Sequence, residues 1–318
     1  MTRKTKQLEL PLESSDKFRV SQGKVKTYRR CRAAYHYRYV EKIRAKRKTR
    51  ALTFGSLVHK MIEREAECEN PFDVLTEVDP SSLKLFAAEK AEYGDLIEDT
   101  RRIMTEYFDY WDNDPKPLVF ERINGKSAEH SFDIEILKDV VWNGKIDARG
   151  KREGLRWLVE HKSFKRKPGD DDRWRNLQSV SYFRAMDMLG WPPVDGTLPI
   201  AVADAVRMHG FKQRDHKGFI AQVAGNRSKW FQRVYTRVDE DVRDIVFNEF
   251  IDTVKEMVDN HGKKRDMNIE RHCSWCDYEP LCRARLQGLD YDFIKERSYE
   301  ENTGGNTEEA DHIIEYED

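Results

Sequence analysis

The stretch from Val141 to Phe164, VWNGKIDARGKREGLRWLVEHKSF, predicts two β-strands joined by a tight turn. We predict the first strand over Val140–Gly150 and the second over Leu155–Phe164. The connector between them, Lys151–Gly154, is polar and ends in glycine, as short hairpin loops often do. The stretch therefore predicts a β-hairpin.

Charged side chains converge on one face of this hairpin. Side chains alternate between the two faces of a strand, so Glu160 and Lys162 point one way and His161 points the other. If the strands pair about the loop, Asp147 lies beside Glu160. Two carboxylates with a lysine beside them form a site suited to a hard divalent metal ion. An exposed hairpin with a cross-strand ion pair is the alternative interpretation.

The flanking residues favour the metal site over the exposed hairpin. Ile146 and the run Trp157–Val159 are apolar, which places the acidic residues at the mouth of a buried hairpin. The pattern Asp147…Glu160-His161-Lys162 resembles the core of the PD-(D/E)XK nucleases, an Asp followed by Glu-x-Lys on the neighbouring strand. Ile146 stands where the family name has proline. The resemblance implies an α/β fold with a mixed central β-sheet flanked by helices, as in restriction endonucleases.

Three further motifs resemble the RecB-like branch of that family. Gly55-x-x-x-His59 resembles its upstream histidine motif, in which the His binds metal, although a lone histidine on an amphipathic helix is usually a core residue. Glu129 resembles an early acidic position close to the metal, in its second shell of contacts. Gln178-x-x-x-Tyr182 resembles a Q-x-x-x-Y motif, which implies a catalytic role for both residues. Taken alone, Gln and Tyr one helical turn apart would indicate a structural role.

The resemblance implies different roles for the residues of the acidic site. His59, Asp147 and Glu160 would bind Mg²⁺ or Mn²⁺ together with the main-chain carbonyl of His161, and a nitrogen ligand favours Mn²⁺. The ion would polarise the scissile phosphate and activate water. Lys162 would position that water and stabilise charge developing at phosphorus.

Four of the five cysteines form a second candidate metal site. Cys273, Cys276 and Cys282 follow a C-x2-C-x5-C pattern, and Cys31, 242 residues before Cys273, supplies a fourth ligand. The arrangement is similar to RecB-like nucleases such as AddB and the CRISPR-associated exonucleases, which implies a [4Fe–4S] cluster that joins the two chain ends. Zinc and free thiols are the alternatives. Cys68 stands alone in an acidic helical segment.

The amino-acid composition indicates which kinds of partner the protein could bind. The chain has 318 residues, 36% of them charged, and no run approaches the ~20 apolar residues needed to span a bilayer. The N-terminus shows no apolar signal-peptide core, so we expect a cytoplasmic protein with no membrane partner. The net charge is −1, but Met1–Arg50 holds 17 basic against 4 acidic residues, and Tyr299–Asp318 holds 8 acidic and no basic ones. The basic segment favours a polyanion such as DNA, although a merely solvated segment would have the same composition.

Helical periodicity appears in several segments. We predict a single basic helix over Lys24–Tyr39, with Ser21 as its N-cap, and an amphipathic helix over Ala51–Glu69. A helix over Asp241–Asn260 carries a stripe of six apolar side chains: Val242, Ile245, Val246, Phe250, Val254 and Met257.

The predicted domain organisation follows from these assignments. It comprises a basic disordered lead (1–17), a single nuclease domain (18–298) and an acidic disordered tail (299–318). Within the domain, residues 18–50 and 261–290 would form a helical cluster subdomain from both chain ends, and residues 119–238 the catalytic sheet.

The predicted function is metal-dependent hydrolysis of DNA. By resemblance, the protein would be an exonuclease that acts on DNA ends, preferably single-stranded, in recombination, repair or phage DNA metabolism, and it would be phage-encoded. A helicase–nuclease fusion is excluded within this chain, because no G-x-x-x-x-G-K-[ST] motif is present: Gly125-Lys126-Ser127 has Phe120 in place of the leading glycine. The alternative is a non-catalytic DNA-binding or scaffold protein that keeps the nuclease fold.

Overall fold

The computed structural model describes residues 17–46, 50–77, 96–164, 177–194, 196–203, 225, 227–233, 238–263 and 265–302. The chain divides into two compact units. The terminal unit comprises Met1–Arg47, Asp133–Gly144 and Asn248–Asn306, and the central unit comprises Lys48–Phe132, Lys145–Phe247 and Thr307–Asp318. Within the described residues, no helix is long and apolar enough to cross a membrane.

The described strands number nine. They are β1 (Phe18–Val20), β2 (Ile43–Ala45), β3 (Val119–Phe120), β4 (Ala128–Leu137), β5 (Val140–Arg152), β6 (Leu155–Phe164), β7 (Gly196–Ala203), β8 (Phe231–Arg233) and β9 (Tyr299–Glu301).

The described α-helices number ten. They are α1 (Gln22–Arg30), α2 (Arg32–Tyr35), α3 (Arg50–Ala66), α4 (Val74–Glu77), α5 (Leu96–Asp112), α6 (Leu177–Met188), α7 (Arg227–Trp230), α8 (Glu240–Asp259), α9 (Glu279–Gln287) and α10 (Tyr291–Ser298).

Seven of the described strands form a mixed β-sheet and β2 and β9 form a separate pair, which confirms the predicted α/β fold class. In the central unit β5 pairs antiparallel with β6, β6 parallel with β7, and β7 antiparallel with β8. Strands β3 and β4 also pair with β5. In the terminal unit β1 lies parallel to the start of β5.

The hairpin turn is shorter than predicted. Strand β5 continues to Arg152, which pairs with Leu155, so the turn is Glu153–Gly154 alone rather than Lys151–Gly154. Both turn residues have positive φ, 51° and 80°, as a type I′ turn requires. This turn matches the twist of the two strands, and the first strand therefore extends two residues further than predicted, to Arg152.

Helix α3 packs the core of the central unit. Its apolar stripe contacts α5 and the inner face of β6, and the stripe consists of Phe54, Leu57, Val58, Met61 and Ile62. The helix begins at Arg50 and ends at Ala66, close to the predicted Ala51–Glu69. Residues 78–95 precede α5 and lie outside the described residues.

The prediction of one continuous basic helix over Lys24–Tyr39 is wrong, because the structure has three shorter helical segments there. Ser21 caps α1 as predicted, because its hydroxyl accepts from the amide of Lys24 at 3.2 Å. The helix ends at Cys31, whose φ of −162° and ψ of 117° are extended. The amide of Ala33 donates to the carbonyl of Asp266 at 3.0 Å, and this tertiary bond replaces a helical one. The chain then continues as α2 and a π-helical turn.

Both chain ends meet in the terminal unit. Strand β9 pairs antiparallel with β2, so the predicted disordered tail over 299–318 is wrong at its start; residues 303–318 lie outside the described residues. In α8 the predicted apolar stripe is buried only in the second half, at Phe250, Val254 and Met257. The side chains of Val242 and Ile245 are exposed.

Glu67 provides a test of this fold within the central unit. Its carboxylate accepts from the backbone amides of Ser127 and Ala128, at 2.5 and 3.0 Å, and both of those residues are buried. We expect Glu67→Ala to lower the free energy of unfolding by about 1–3 kcal/mol, because it leaves these donors unpaired. Urea denaturation measures the change.

Glu69→Ala is the matched control, because that carboxylate is mostly exposed and lies 3.8 Å from Arg64. We expect it to change the free energy of unfolding by less than about 0.5 kcal/mol. Equal effects of the two substitutions would contradict the anchoring role of Glu67.

Candidate active site and cysteine group

The hairpin brings Asp147 and Glu160 to adjacent strand positions. Ala148 and Val159 are directly opposite in the register, and Asp147 and Glu160 are the next residue on each strand. Both carboxylates are buried, with 5% and 4% of each residue exposed. The backbone amide of His161 donates to Asp147 Oδ2 at 2.6 Å. This bond holds the Asp147 carboxylate against the second strand.

Helix α3 supplies His59 to the same place. Its Nδ1 lies 3.8 Å from Asp147 Oδ2, and its ring packs edge-on against that of His161, with 5.4 Å between the centroids. Ligand atoms of His59, Asp147 and His161 all lie within 4.8 Å of one another, and all three residues are buried. The structure therefore contains a compact group of nitrogen and oxygen donors.

The imidazole of His161 was not among the ligands predicted from the sequence. The prediction used only its main-chain carbonyl, whereas the structure places its Nδ1 3.9 Å from Asp147 Oδ2. Burial lowers the pKa of His161 to about 3, so the ring is neutral and keeps a lone pair for a metal. Neither ring nitrogen has a hydrogen-bond partner among the described residues. This donor set fits a divalent metal ion, since neutral imidazole and carboxylate both bind such ions.

Lys162 lies beside Glu160. Its Nζ is 2.6 Å from Glu160 Oε1, and both side chains are almost fully buried. Residues two apart on a strand share a face, so this contact follows from the extended backbone of β6. A buried ammonium group is thus held next to the Glu160 carboxylate.

Glu129 and Lys145 form an ion pair close to Asp147. Lys145 Nζ lies 2.5 Å from Glu129 Oε2. Burial and the charge of Asp147 raise the pKa of Glu129 to about 7, in spite of the lysine. Glu129 also has a φ of 55°, which non-glycine residues seldom adopt. The proximity of these charges fits the predicted position of Glu129 near the metal; its role there stays a prediction.

Glu63 belongs to the same surroundings, and we did not predict it. Burial raises its pKa, and its charge in turn acts on Glu129. The signal was present in the sequence: Glu63 follows His59 by four residues, and residues four apart share one face of a helix.

Gln178 and Tyr182 lie one turn apart on α6, as predicted. Gln178 Nε2 donates to the Tyr182 hydroxyl at 3.2 Å. The Tyr182 ring packs edge-on against that of Phe132, with 5.6 Å between the ring centroids. Their catalytic role stays a prediction.

The four cysteines predicted as ligands lie together in the terminal unit. Cys31, Cys276 and Cys282 pack in one cluster around Tyr278 and Leu281. Burial raises the pKa of Cys282 to about 11, and the charges of Cys276, Cys31 and Cys273 act in the same direction. Burial also raises the pKa of the Cys276 thiol, and a bound metal would hold Cys276 and Cys282 as thiolates. The donor set therefore fits a metal or an iron–sulfur cluster.

Cys68 is separate from this group. It belongs to the central unit, just beyond the end of α3, and it is exposed with a φ of 62°. This position makes it a suitable control.

Comparison with known protein families finds one that matches most of the chain. The family described as PD-(D/E)XK nuclease superfamily matches residues 19–283. No curated protein matches the chain. Among solved structures, the crystal structure of SSO0001 is similar with 12% identity and a TM-score of 0.30, over 73% of this chain and 86% of that one. A similarity at this level carries no argument about function.

The imidazole of His161 can be tested separately from its carbonyl. We expect His161→Ala, which keeps the carbonyl, to weaken Mn²⁺ binding at least about tenfold, because it removes one nitrogen donor from the group. Isothermal titration calorimetry on chelator-treated protein measures the affinity. His130→Ala is the matched control, since His130 is also buried with a lowered pKa. Equal Mn²⁺ affinities of His161→Ala and wild type would leave the carbonyl as the only ligand from this residue.

Proposed function

Because the chain belongs to the PD-(D/E)XK nuclease superfamily, we propose that it is a Mg²⁺- or Mn²⁺-dependent deoxyribonuclease that removes nucleotides from DNA ends. The observation that carries this proposal is the buried group of His59, Asp147 and His161, with Glu160 and Lys162 next to it on β6. These residue types supply metal ligands and a cation, which hydrolysis of a phosphodiester requires.

His59, Asp147 and Glu160 would hold the metal ion, with His161 from the buried group as a further ligand. A bound ion would polarise the scissile phosphate and lower the pKa of water for attack. Nitrogen donors at the site favour Mn²⁺ over Mg²⁺. The hydrogen bond from the His161 amide fixes the orientation of Asp147, so that its carboxylate is preorganised for the ion.

Lys162 would act on the substrate. Its ammonium group can orient the attacking water and stabilise negative charge that develops on the phosphate oxygens. Because Lys162 is buried beside Glu160, its charge acts in surroundings that water screens little.

DNA is the substrate we propose, and single-stranded DNA with free ends is the preferred form. The basic excess of Met1–Arg50 supports binding to a polyanion. The preference for ends, and a role in recombination, repair or phage DNA metabolism, rest on the resemblance to RecB-like nucleases. The alternative is a non-catalytic DNA-binding or scaffold protein, which would bind DNA but leave it intact in the presence of Mn²⁺.

The cysteine group would hold a [4Fe–4S] cluster, with zinc as the alternative. Cys31 comes from the start of the chain, and Cys273, Cys276 and Cys282 come from its other end. We propose that the cluster links these two segments within the terminal unit and takes no part in the hydrolysis.

Glu160→Ala tests the active site. We expect cleavage to fall by a factor of about 10³ or more, because loss of a metal ligand removes several kcal/mol of stabilisation from the transition state. DNA binding should survive, because phosphate contacts rather than this carboxylate provide the affinity. The assay uses end-labelled and circular DNA, single- and double-stranded, with Mn²⁺. Glu135→Ala, which removes an exposed carboxylate paired with Lys17, is the control. Turnover by Glu160→Ala at the wild-type rate would refute the assignment.

Cys31→Ser tests the cluster. We expect protein purified without oxygen to be brown, and the variant to lose iron and melt at a lower temperature. Closing a loop of 242 residues contributes about 5 kcal/mol in the chain-entropy model of cross-links, which the variant would lose. Iron analysis and thermal melting measure both effects, with Cys68→Ser as the control. Full iron content in Cys31→Ser would contradict the ligand set, and colourless protein with stoichiometric zinc would identify the metal as zinc.

A further inference from the structure

Three lysines act electrostatically on Glu63, which lies one helical turn after the candidate metal ligand His59. We call Lys60, Lys126 and Lys145 the lysine rim. They come from three different elements of the central unit: α3, the turn before β4, and β5. The charges of all three act on Glu63 and lower its pKa against the effect of burial, so the ammonium groups lie within electrostatic range of one carboxylate.

Lys60 is placed by helix α3. It is the residue after His59 and precedes Glu63 by three positions, which is one turn of helix. Its side chain is exposed. The helix that presents the candidate metal ligand therefore also presents a cation to solvent.

Lys126 is placed by a tight turn that is anchored to the same helix. Ile123 and Lys126 exchange both backbone hydrogen bonds, and Asn124 and Gly125 have positive φ, as in a type I′ turn. Glu67, four residues after Glu63 on the stripe that begins at His59, accepts from the amides of Ser127 and Ala128. The anchored turn holds Lys126 near the second half of α3.

Lys145 differs from the other two, because it pairs with Glu129 at 2.5 Å. Among the described residues, Lys60 and Lys126 form no ion pair. The rim therefore has cationic charge that its own carboxylates do not neutralise, and an anion of the substrate can use it.

From this geometry we propose that the lysine rim binds the DNA backbone, with Lys60 and Lys126 on phosphates next to the scissile one and Lys145 held between them and the metal ligands by Glu129. The proposal rests on the proposed nuclease function. Such contacts are indifferent to base sequence and would hold a strand in register for cleavage. Glu63 would limit the affinity, because its negative charge repels a phosphate at the rim.

The test measures binding of the full-length protein to a fluorescent oligothymidylate in EDTA, which prevents cleavage, over a series of KCl concentrations. Each lysine that contacts a phosphate of single-stranded DNA adds about 0.7 to the slope of log affinity against log salt concentration. We expect Lys60→Gln and Lys126→Gln to weaken binding and each to reduce the slope by about 0.7. Lys60→Arg and Lys126→Arg should restore both quantities, and Glu63→Gln should tighten binding.

Lys151→Gln is the matched control, because Lys151 is an exposed lysine of the same unit whose Nζ lies 3.0 Å from Glu121. It should leave the slope unchanged. Slopes and affinities of Lys60→Gln and Lys126→Gln equal to wild type would overturn the proposal, as would weaker binding by Glu63→Gln.

The two proposals fail in different ways. If wild-type protein cleaves DNA while the lysine variants bind as tightly as it does, the rim proposal is wrong and the nuclease function stands. If no DNA is cleaved but the slope falls in these variants, the rim binds DNA and the nuclease function is wrong.

Discussion

The hydrogen bond from the His161 amide to the Asp147 carboxylate is the contact on which the candidate active site depends. It joins the two strands of the hairpin at the point where their regular pairing ends. A buried carboxylate is costly unless hydrogen bonds and opposite charges compensate it. Here the His161 amide donates a hydrogen bond to Asp147, and Lys162 lies beside Glu160. A divalent cation bound to the carboxylates would compensate the remaining negative charge.

At the cysteine group, as at the active site, a bound metal would stabilise charged ligands inside the protein. Cys31 is buried and Cys276 and Cys282 are half-buried among tyrosine and leucine side chains, and burial raises the pKa of the Cys276 and Cys282 thiols. Binding of a metal requires thiolates, so the free energy of metal binding would also stabilise the fold of the terminal unit. The stacked rings of Tyr37, Tyr278 and Tyr299 pack the same cluster, and the hydroxyl of Tyr278 donates to the carbonyl of Ile43. These contacts connect the two chain ends independently of any metal.

Local patterns in the sequence were sufficient for the hairpin and for the long helices α3 and α8. Alternation along β6 gives the shared face of Glu160 and Lys162, and the helical period gives the buried stripe of α3. Features that depend on distant contacts were not accessible. The helix break at Cys31 follows a bond to Asp266, more than two hundred residues away, and the place of the His161 ring follows the approach of α3. Glu63 could have been found, because its spacing from His59 places both on one helix face.

We propose that His59, Asp147 and Glu160 hold a divalent metal ion. Anomalous diffraction from crystals soaked in Mn²⁺ would locate the ion. We expect a strong manganese peak within coordinating distance of Asp147, Glu160 and the His59 ring. Crystals that bind Mn²⁺ only elsewhere on the molecule, with no peak among these three residues, would contradict it.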